Sequence, residues 1–350
     1  MPQVSAPILI DGSYGEGGGA LLRTALCMAA LTQVPLRVDN VRCGTQYPGL
    51  DSEDLLLIQA LSTACAAETT GVEHNATTFS YLPTRRPVGL SLELNAIEGI
   101  QGANANIVLN SLLPVVARSG MYSRISAEGE TYGHHSLAFD YFENVTIPTL
   151  RKLGLYAFPE LEKAGFGREG RGIVAVEVEP SVIEGFKWED RGNLIACQGI
   201  ITTSHLPREI AERGAAHLKK LSQNAGYQLD IEHEDVKADR PGAHLTLWAA
   251  FERGMGGAAI MGTKGVRVEN LAQATFEELF QWLRTPATTD PFLADQILLP
   301  AAFSENGCSF TVSRLTERFM TSVWVIKQFL PIHITVKGSI DGPGAVVIKR

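Results

Sequence analysis

Cysteine is scarce in this sequence, and its distribution excludes two classes of small protein. The chain has 350 residues but only five cysteines, an odd number, and no two of them form a C-x-x-C pair. A disulfide-stabilised scaffold and a zinc knuckle are therefore excluded, and the pattern is typical of a protein of the reducing cytosol. The cysteines are Cys27, Cys43, Cys65, Cys197 and Cys308.

Long apolar runs and a leader sequence are missing too. No apolar stretch reaches the roughly 20 residues that a membrane helix needs, and residues 1–10 lack the basic start and cleavage site of a signal peptide. Apolar residues make up 45% of the chain and the mean hydropathy is +0.04. We therefore expect a soluble cytoplasmic protein with two or three hydrophobic cores and no membrane partner.

Positive charge is not in excess, and common hydrolase motifs are absent. There are 30 Lys and Arg residues against 38 Asp and Glu, which gives a net charge of −8. The chain thus lacks the overall basic footprint of a nucleic-acid-binding protein, although a local basic groove remains open. The patterns G-x-S-x-G, H-E-x-x-H and S-x-x-K do not occur, so nothing supports a hydrolase.

Three parts of the chain share one pattern, which predicts an internal repeat. Each has an apolar stretch at helical spacing, a short polar turn and an alternating strand, and a second helical stretch follows. We therefore predict an α/β (α+β) fold with three repeated helix–strand–helix units. The first stretches cover residues 21–38, 107–126 and 292–312, and the second helices cover residues 53–67, 137–154 and 317–330.

The spacing of these units predicts an inserted domain. The first two units begin 86 residues apart, but the second and third begin 185 residues apart. We place a small inserted α/β domain at residues 186–284, and the core of three repeats at residues 1–185 and 285–350. Within the insertion the pattern predicts helices at residues 206–225 and 272–283 and a strand at residues 244–251.

A glycine-rich turn carries the strongest chemical signal. It lies between a short apolar strand and an apolar helix and reads Asp-Gly-Ser-Tyr-Gly-Glu-Gly-Gly-Gly over residues 11–19. Backbone N–H groups at a helix start, with no Cβ atoms at Gly17 and Gly18, form an anion site. The Glu16 carboxylate suits a metal ion that neutralises phosphate better than it suits a pure phosphate cradle. The residues alone favour such a site no more than a structural turn.

Other polar positions are less specific candidates. Arg42 follows the first repeat strand and could hold a phosphate through two hydrogen bonds, although a solvated arginine is the commoner case. Asp295 and Gln296 lie inside an apolar helix and need partners, so this helix either faces a cleft or caps a neighbouring loop. His134 and His135 are adjacent, and adjacent side chains on a strand point to opposite faces, which favours a structural role over a shared metal.

Several segments taken together carry a family signature. They read IDGSYGEGGGALLRTAL, VRCGTQYPGL, WEDRGN, LADQILLP and VWVIKQFLP. In this order, and with the insertion included, the chain resembles the RNA 3′-terminal phosphate cyclases over nearly its whole length. The glycine-rich turn and the tetrapeptide Leu-Ala-Asp-Gln are the most specific parts of this resemblance.

The resemblance implies both a fold and a reaction. The fold would be three units similar to the C-terminal domain of bacterial translation initiation factor three, as in enolpyruvyl transferases, with a small α/β domain inserted. The family reaction uses ATP and a divalent metal, Mg or Mn, to convert an RNA 3′-phosphate to a 2′,3′-cyclic phosphate. A histidine attacks the α-phosphate of ATP, the AMP passes to the RNA 3′-phosphate, and the neighbouring 2′-hydroxyl displaces it. The implied partners are an RNA 3′ end and a nucleotide, and a homodimer stays open.

The family's site residues carry over only in part. Thr45 stands in place of an arginine, Asn110 in place of a glutamine, and Ser-Glu-Asp at residues 52–54 in place of Arg-Gln-His. By resemblance, Glu16 is the carboxylate that binds the metal. By resemblance, the residues that bind nucleotide or phosphate are Gly17, Gly18, Arg23, Arg42, Asn110, Asp295 and Gln296.

The largest departure lies at the start of the last apolar helix. The family pattern H-x-x-T-N reads here Arg-Phe-Met-Thr-Ser, so Arg318 occupies the position of the nucleophilic histidine. A guanidinium stays protonated and has no free lone pair with which to attack phosphorus. His333 lies beyond the helix, and His134 and His135 belong to a different unit, so only an unexpected spatial arrangement would let one of them replace the nucleophile.

Three functions are compatible with this pattern. The favoured one is a cyclase-like paralogue that has lost histidyl adenylation and binds an RNA end or a nucleotide, or serves as a scaffold. The alternative is an active RNA 3′-phosphate cyclase with a non-standard nucleophile, which the intact glycine-rich turn and the Asp295–Gln296 pair support. A third is an enolpyruvyl-transferase-like enzyme on the same repeat fold, and the glycine-rich turn and the insertion argue against it.

Overall fold

The computed structural model describes residues 6–349, which form four sheets of four strands each. Every sheet contains one parallel pair, and its remaining pairs are antiparallel. In three of the sheets a single helix connects the two parallel strands. The expected mixed α/β architecture with a repeated unit is therefore confirmed. None of the helices in this range is both long enough and apolar enough to cross a membrane.

The first unit alternates strands and helices and ends in a hairpin, with strand order β1-β2-β4-β3. Its first helix is rich in alanine and leucine, and nine of its residues are buried. The second helix begins at a capping box, in which the Asp51 and Asp54 side chains accept each other's backbone N–H. The elements are β1 (Ile8–Asp11), α1 (Gly19–Thr32), β2 (Leu36–Asp39), α2 (Ser52–Cys65), β3 (Glu68–Thr70) and β4 (Phe79–Leu82).

The second unit repeats this order as β5-β6-β8-β7. Its first helix begins at Asn104, whose side chain accepts a hydrogen bond from the backbone N–H of Ile107. Its second helix is interrupted by a π-helical turn, Phe142–Thr146, between α4 and α5. The elements are β5 (Ser91–Leu94), α3 (Ala105–Ala117), β6 (Ser123–Gly129), α4 (Phe139–Tyr141), α5 (Ile147–Lys152), β7 (Ala157–Lys163) and β8 (Gly172–Val178).

The next segment contains a short strand and a fourth sheet with its own hydrophobic cluster. The short strand, β9 (Lys187–Trp188), does not pair with that sheet. The fourth sheet has the order β11-β10-β12-β13, and the two helices pack on it. Its elements are β10 (Leu194–Ser204), α6 (Arg208–Asn224), β11 (Asp230–Asp235), β12 (Gly242–Phe251), β13 (Gly254–Met261) and α7 (Val268–Leu283).

The third unit has the strand order β15-β16-β14-β9 and completes the repeat. Along the chain, its first strand, β9, is separated from its other strands by the fourth sheet. Asp290 caps the first helix of this unit and Pro291 occupies the first helical position. Thr316 caps the second helix. The elements are α8 (Pro291–Ala302), β14 (Cys308–Val312), α9 (Glu317–Phe329), β15 (His333–Gly338) and β16 (Gly344–Lys349).

The predicted helices are confirmed in all three units, and the helices and strand predicted at residues 206–283 are found as α6, β12 and α7. The short apolar strand expected before the glycine-rich turn is found as β1. The first strands of the other two units are additions, as are β10, β11 and β13. The division into a core (1–185 and 285–350) and an insertion (186–284) stays a prediction, and residues 1–5 and 350 lie outside the described range.

One hydrophobic core joins the three units and brings their helices together. Helix α1 packs against α9, α3 and α2, so the start of α1 and the start of α9 face each other across the units. The fourth sheet is held to the second unit through Asp140, which accepts hydrogen bonds from the hydroxyls of Tyr132 and Thr202. The starts of α1 and α9 therefore line one shared region, and the start of α9 also faces the fourth sheet.

Candidate functional site

The glycine-rich turn is fixed against the second helix of the third unit. Gly15 and Gly17 have φ angles of +59° and +60°, in the left-handed region that favours glycine. A Cβ atom on Gly15 would overlap the Thr321 hydroxyl, which accepts a hydrogen bond from the Glu16 backbone N–H at 3.2 Å. The Tyr14 ring stacks on Trp324 with a centroid distance of 4.0 Å. The turn therefore cannot move away from α9 without losing these contacts.

Arg318 lies between two carboxylates from different units. Its Nε is 3.5 Å from Glu16 Oε2 in the glycine-rich turn and 3.7 Å from Asp295 Oδ2 on α8. Thr316, the cap of α9, donates a hydrogen bond of 3.4 Å to the other oxygen of Asp295. The fold thus brings together three residues that the sequence analysis selected separately.

Asp295 is largely buried, with only 13% of its side chain exposed. Burial raises the pKa of its carboxyl to about 7, and the nearby Arg318 guanidinium opposes this rise. Asp295 therefore changes charge near neutral pH, beside a side chain that stays positive.

Five of the predicted site residues line one small cavity of about 120 Å³. Two of them present buried polar atoms that have no hydrogen-bond partner, Oδ1 of Asn110 and Nε2 of Gln296. The other amide atom of Gln296, Oε1, accepts from the Thr146 hydroxyl. Buried polar atoms are nearly always satisfied, so these two indicate a place for a polar ligand. The five residues are Arg23, Asn110, Asp295, Gln296 and Arg318.

A larger cavity of about 450 Å³ adjoins the small one. It lies between the second unit, the third unit and the fourth sheet, and its wall includes Tyr141 and Trp282, whose side chains are almost fully buried. We call the wall that both cavities share the neck. The neck consists of His135, Ser136, Phe292, Asp295 and Arg318.

A family model described as RNA 3′-terminal phosphate cyclase matches residues 14–336, which include all the predicted site residues. The chain belongs to the RNA 3′-terminal phosphate cyclase family. A similar protein from Methylococcus capsulatus (strain Bath) is named RNA 3′-terminal phosphate cyclase and is 34% identical over 97% of this chain and 95% of its own length. Proteins of the same name from Gloeothece citriformis and Thermococcus onnurineus are each 32% identical, over 91% and 97% of this chain and 93% and 98% of their own lengths.

A solved structure, the enolpyruvyl transferase NikO from Streptomyces tendae, overlaps this family member only weakly. The overlap covers 49% of this chain and 33% of that chain, with 15% identity and a TM-score of 0.27. This similarity is too low to support a conclusion.

In this cyclase-family chain, the acidic stretch at residues 52–54 neutralises two predicted phosphate ligands. Glu53 forms an ion pair of 3.3 Å with Arg23. Asp54 pairs with Arg42, which is buried and also contacts Asp51 at 2.8 Å and the Gly49 carbonyl oxygen. Arg42 lines neither cavity, although its guanidinium lies beside the start of α1. The two arginines are thus already paired within the protein.

The side chains near Glu16 do not fit a metal held by the protein. Within residues 6–349 no group of three or more His, Cys, Asp or Glu side chains is arranged to hold a metal ion. The two nearest carboxylates, Glu16 and Asp295, both face the Arg318 guanidinium, which takes the place of a cation between them. We therefore assign no step to a metal here.

The sequence patterns did not indicate every residue of the site, and they gave no sign that His135 lies near Arg318. His135 belongs to a different unit from Arg318, yet the fold brings both to the neck. The larger cavity also includes Tyr141, Glu278 and Trp282, which no motif indicated. The available signal was the loop at residues 133–136, where a glycine and two histidines lie between buried segments.

Proposed function

We propose that this chain binds a nucleotide and an RNA 3′-phosphate in the two joined cavities but does not form histidyl-AMP at residue 318. The observation that carries the proposal is the position of Arg318 in the neck, 3.5 Å from Glu16 and 3.7 Å from Asp295. The family reaction, and the relatives named RNA 3′-terminal phosphate cyclase, support RNA and ATP as ligand classes.

Arg318 suits phosphate binding and not nucleophilic catalysis. Formation of histidyl-AMP needs a nitrogen lone pair that attacks the α-phosphorus while the bond to pyrophosphate breaks. A guanidinium has no such lone pair at any working pH, but its N–H donors match phosphate oxygens well. Because Arg318 is 38% exposed, a ligand in either cavity can reach it.

The two cavities suit the two ligands. The larger one has the volume that a nucleoside needs, and its polar wall at the neck includes Asp295 and Arg318. The smaller one contains Arg23 and the unpaired atoms of Asn110 and Gln296, which suit the phosphate end of an RNA. A phosphate group at the neck would contact Arg318 from either side.

Incubation with α-³²P-labelled ATP and Mg²⁺ or Mn²⁺ tests the proposal. We expect no acid-labile label on the protein and no 2′,3′-cyclic phosphate from 3′-phosphorylated RNA, while equilibrium binding shows preference for the 3′-phosphate over a 3′-hydroxyl end. A labelled wild-type protein, or no preference for the phosphate, would contradict the proposal.

The Arg318→His variant provides a second test of the same position. We expect a small labelled fraction, because an imidazole there regains the lone pair, while the acidic stretch at residues 52–54 still limits the yield. Arg314→His is the matched control, since Arg314 lines the larger cavity but not the neck. Label on Arg314→His would show that any added imidazole reacts.

One observation favours the alternative, an active cyclase with a non-standard nucleophile. His135 reaches the neck beside Arg318 although it belongs to another unit. Under this alternative the wild-type protein carries AMP, and the label disappears in His135→Gln but not in His134→Gln. The absence of label on wild-type protein excludes it.

The cellular setting is part of the same proposal. All five cysteines are free, and four of them are buried. Free thiols in this number suit a reducing compartment, so we propose a cytosolic protein that acts on RNA ends. Light scattering of the purified chain tests whether it forms a homodimer.

A further inference from the structure

We propose that His135 is a second phosphate-binding residue, whose protonated imidazole donates a hydrogen bond to the ligand phosphate that Arg318 contacts at the neck. This inference rests on the proposed function, because it assigns a residue to the same ligand. It predicts that the chain binds a phosphorylated RNA end more tightly as the pH falls.

The first support is the position of His135 among the residues of the neck. Of the five described residues that line both cavities, only His135 and Arg318 can carry a positive charge. The neighbouring His134 lines the larger cavity alone. A ligand that extends from one cavity into the other must therefore pass His135.

The second support is the backbone that holds this side chain. His135 has a φ of +54°, a left-handed conformation that is unusual outside glycine. The loop is fixed on one side by the Ser136 hydroxyl, which donates 3.3 Å to Glu130 Oε2, and on the other by Gly133, where a Cβ would overlap Glu130 and Ser136. A costly backbone conformation that its surroundings impose, at the wall of a cavity, is typical of functional positions.

The third support is the charge at the neck before a ligand binds. Arg318 already faces Glu16 and Asp295, so its single charge is shared between two carboxylates. A phosphate monoester with up to two negative charges needs a further cation at this point. The other titratable or charged groups that line the two cavities with His135 are Arg23, Cys27, His134, Tyr141, Glu278, Asp290, Asp295, Arg314, Arg318 and Asp341.

The proposed contact is non-covalent. The imidazole takes a proton from solvent, and one N–H of the resulting cation points to a phosphate oxygen, so no bond to phosphorus forms or breaks. Histidine is the side chain that ordinarily changes charge between pH 5 and 8. Charge-assisted hydrogen bonds of this kind contribute more than neutral ones.

The test is equilibrium binding of a fluorescent 3′-phosphorylated oligoribonucleotide between pH 8.0 and 5.5 at constant salt. It compares the wild-type chain with His135→Gln and with the matched control His134→Gln. The phosphate and Asp295 also titrate in this range, but they do so in all three proteins, so the ratio of affinities at each pH isolates His135. Circular dichroism at both pH limits confirms that each variant is folded.

We expect wild type and His135→Gln to bind about equally at pH 8.0 and wild type to bind about tenfold more tightly at pH 5.5, the size of one charge-assisted hydrogen bond. His134→Gln should follow wild type. Equal pH profiles for wild type and His135→Gln would overturn this inference alone, because binding itself would persist. Failure of the wild-type chain to prefer a 3′-phosphate would overturn the proposed function, and this inference with it.

Discussion

Replacement of Gly15 by alanine tests how the glycine-rich turn holds the site together. Gly15 combines a left-handed φ of +59° with direct packing against the Thr321 hydroxyl. The backbone conformation costs an alanine about 1 kcal/mol. The overlap of the new methyl group with Thr321 adds about 1–3 kcal/mol, as overpacking does in other tightly packed sites. We therefore expect Gly15→Ala to destabilise the chain by about 2–4 kcal/mol.

A double-mutant cycle separates these two contributions. Thr321→Ala removes the hydroxyl that the methyl group would meet, and it also removes the acceptor of the Glu16 N–H, which costs about 1 kcal/mol. In that background Gly15→Ala should cost only the backbone contribution of about 1 kcal/mol. The coupling between the two positions is thus expected to be about 1–3 kcal/mol.

Urea denaturation followed by tryptophan fluorescence measures these changes, because Trp324 stacks on Tyr14 in the same turn. Gly44→Ala is the control, since a methyl group on Gly44 would meet open space within 4 Å and the φ of Gly44 is not left-handed. Its effect should stay within about 0.5 kcal/mol. Additive costs for Gly15→Ala and Thr321→Ala, or a Gly15→Ala cost as small as that of Gly44→Ala, would refute the reasoning about this contact.

Two further variants test the charges at the site. The pKa of Asp295 is raised from 3.8 to about 7, so between these values the folded chain keeps a proton that the unfolded chain has lost, and stability falls as the pH rises. Asp295→Asn removes this effect, so the stability of the variant relative to wild type should increase from pH 5 to pH 7, by up to about 1.4 kcal/mol per pH unit. Urea denaturation at each pH measures this difference. A difference that stays constant with pH would argue against the raised pKa. Glu53→Gln frees Arg23 from its ion pair and should tighten binding of 3′-phosphorylated RNA by roughly three- to tenfold at low salt. The exposed Glu68→Gln is its control, and equal affinities for the two variants would exclude Arg23 as a phosphate ligand.

The helices of this fold can be predicted from sequence because local signals agree with each other. The helix predicted at residues 317–330 is α9, Glu317–Phe329, where apolar spacing coincides with a threonine cap. The first strand of the third unit carries no such signal. Lys187–Trp188 has two residues, and only its pairing with β14 makes it a strand. Short strands depend on distant partners, so periodicity cannot identify them.

The site itself can be predicted as a set of residues but not as an arrangement. Glu16 and Thr321 lie 305 positions apart in the chain, and their contact exists because α1 packs on α9. In the same way, only the folded arrangement shows that Arg42 lies outside the cavities and that His135 lines both. Sequence spacing reports which residues share one helix face, but it carries no information on which units meet.

The arginines of the cleft are already engaged by acidic side chains of the protein itself. Arg314 in the larger cavity lies 3.8 Å from Asp341, and the three predicted site arginines are paired as well. The pairs are Arg23 with Glu53, Arg42 with Asp51 and Asp54, and Arg318 with Glu16 and Asp295. Two of these pairings involve Glu53 and Asp54 in the acidic stretch at residues 52–54, and the third involves Arg318. An incoming phosphate would therefore compete with carboxylates of the protein for these arginines, which is the physical reason to expect tighter binding in Glu53→Gln.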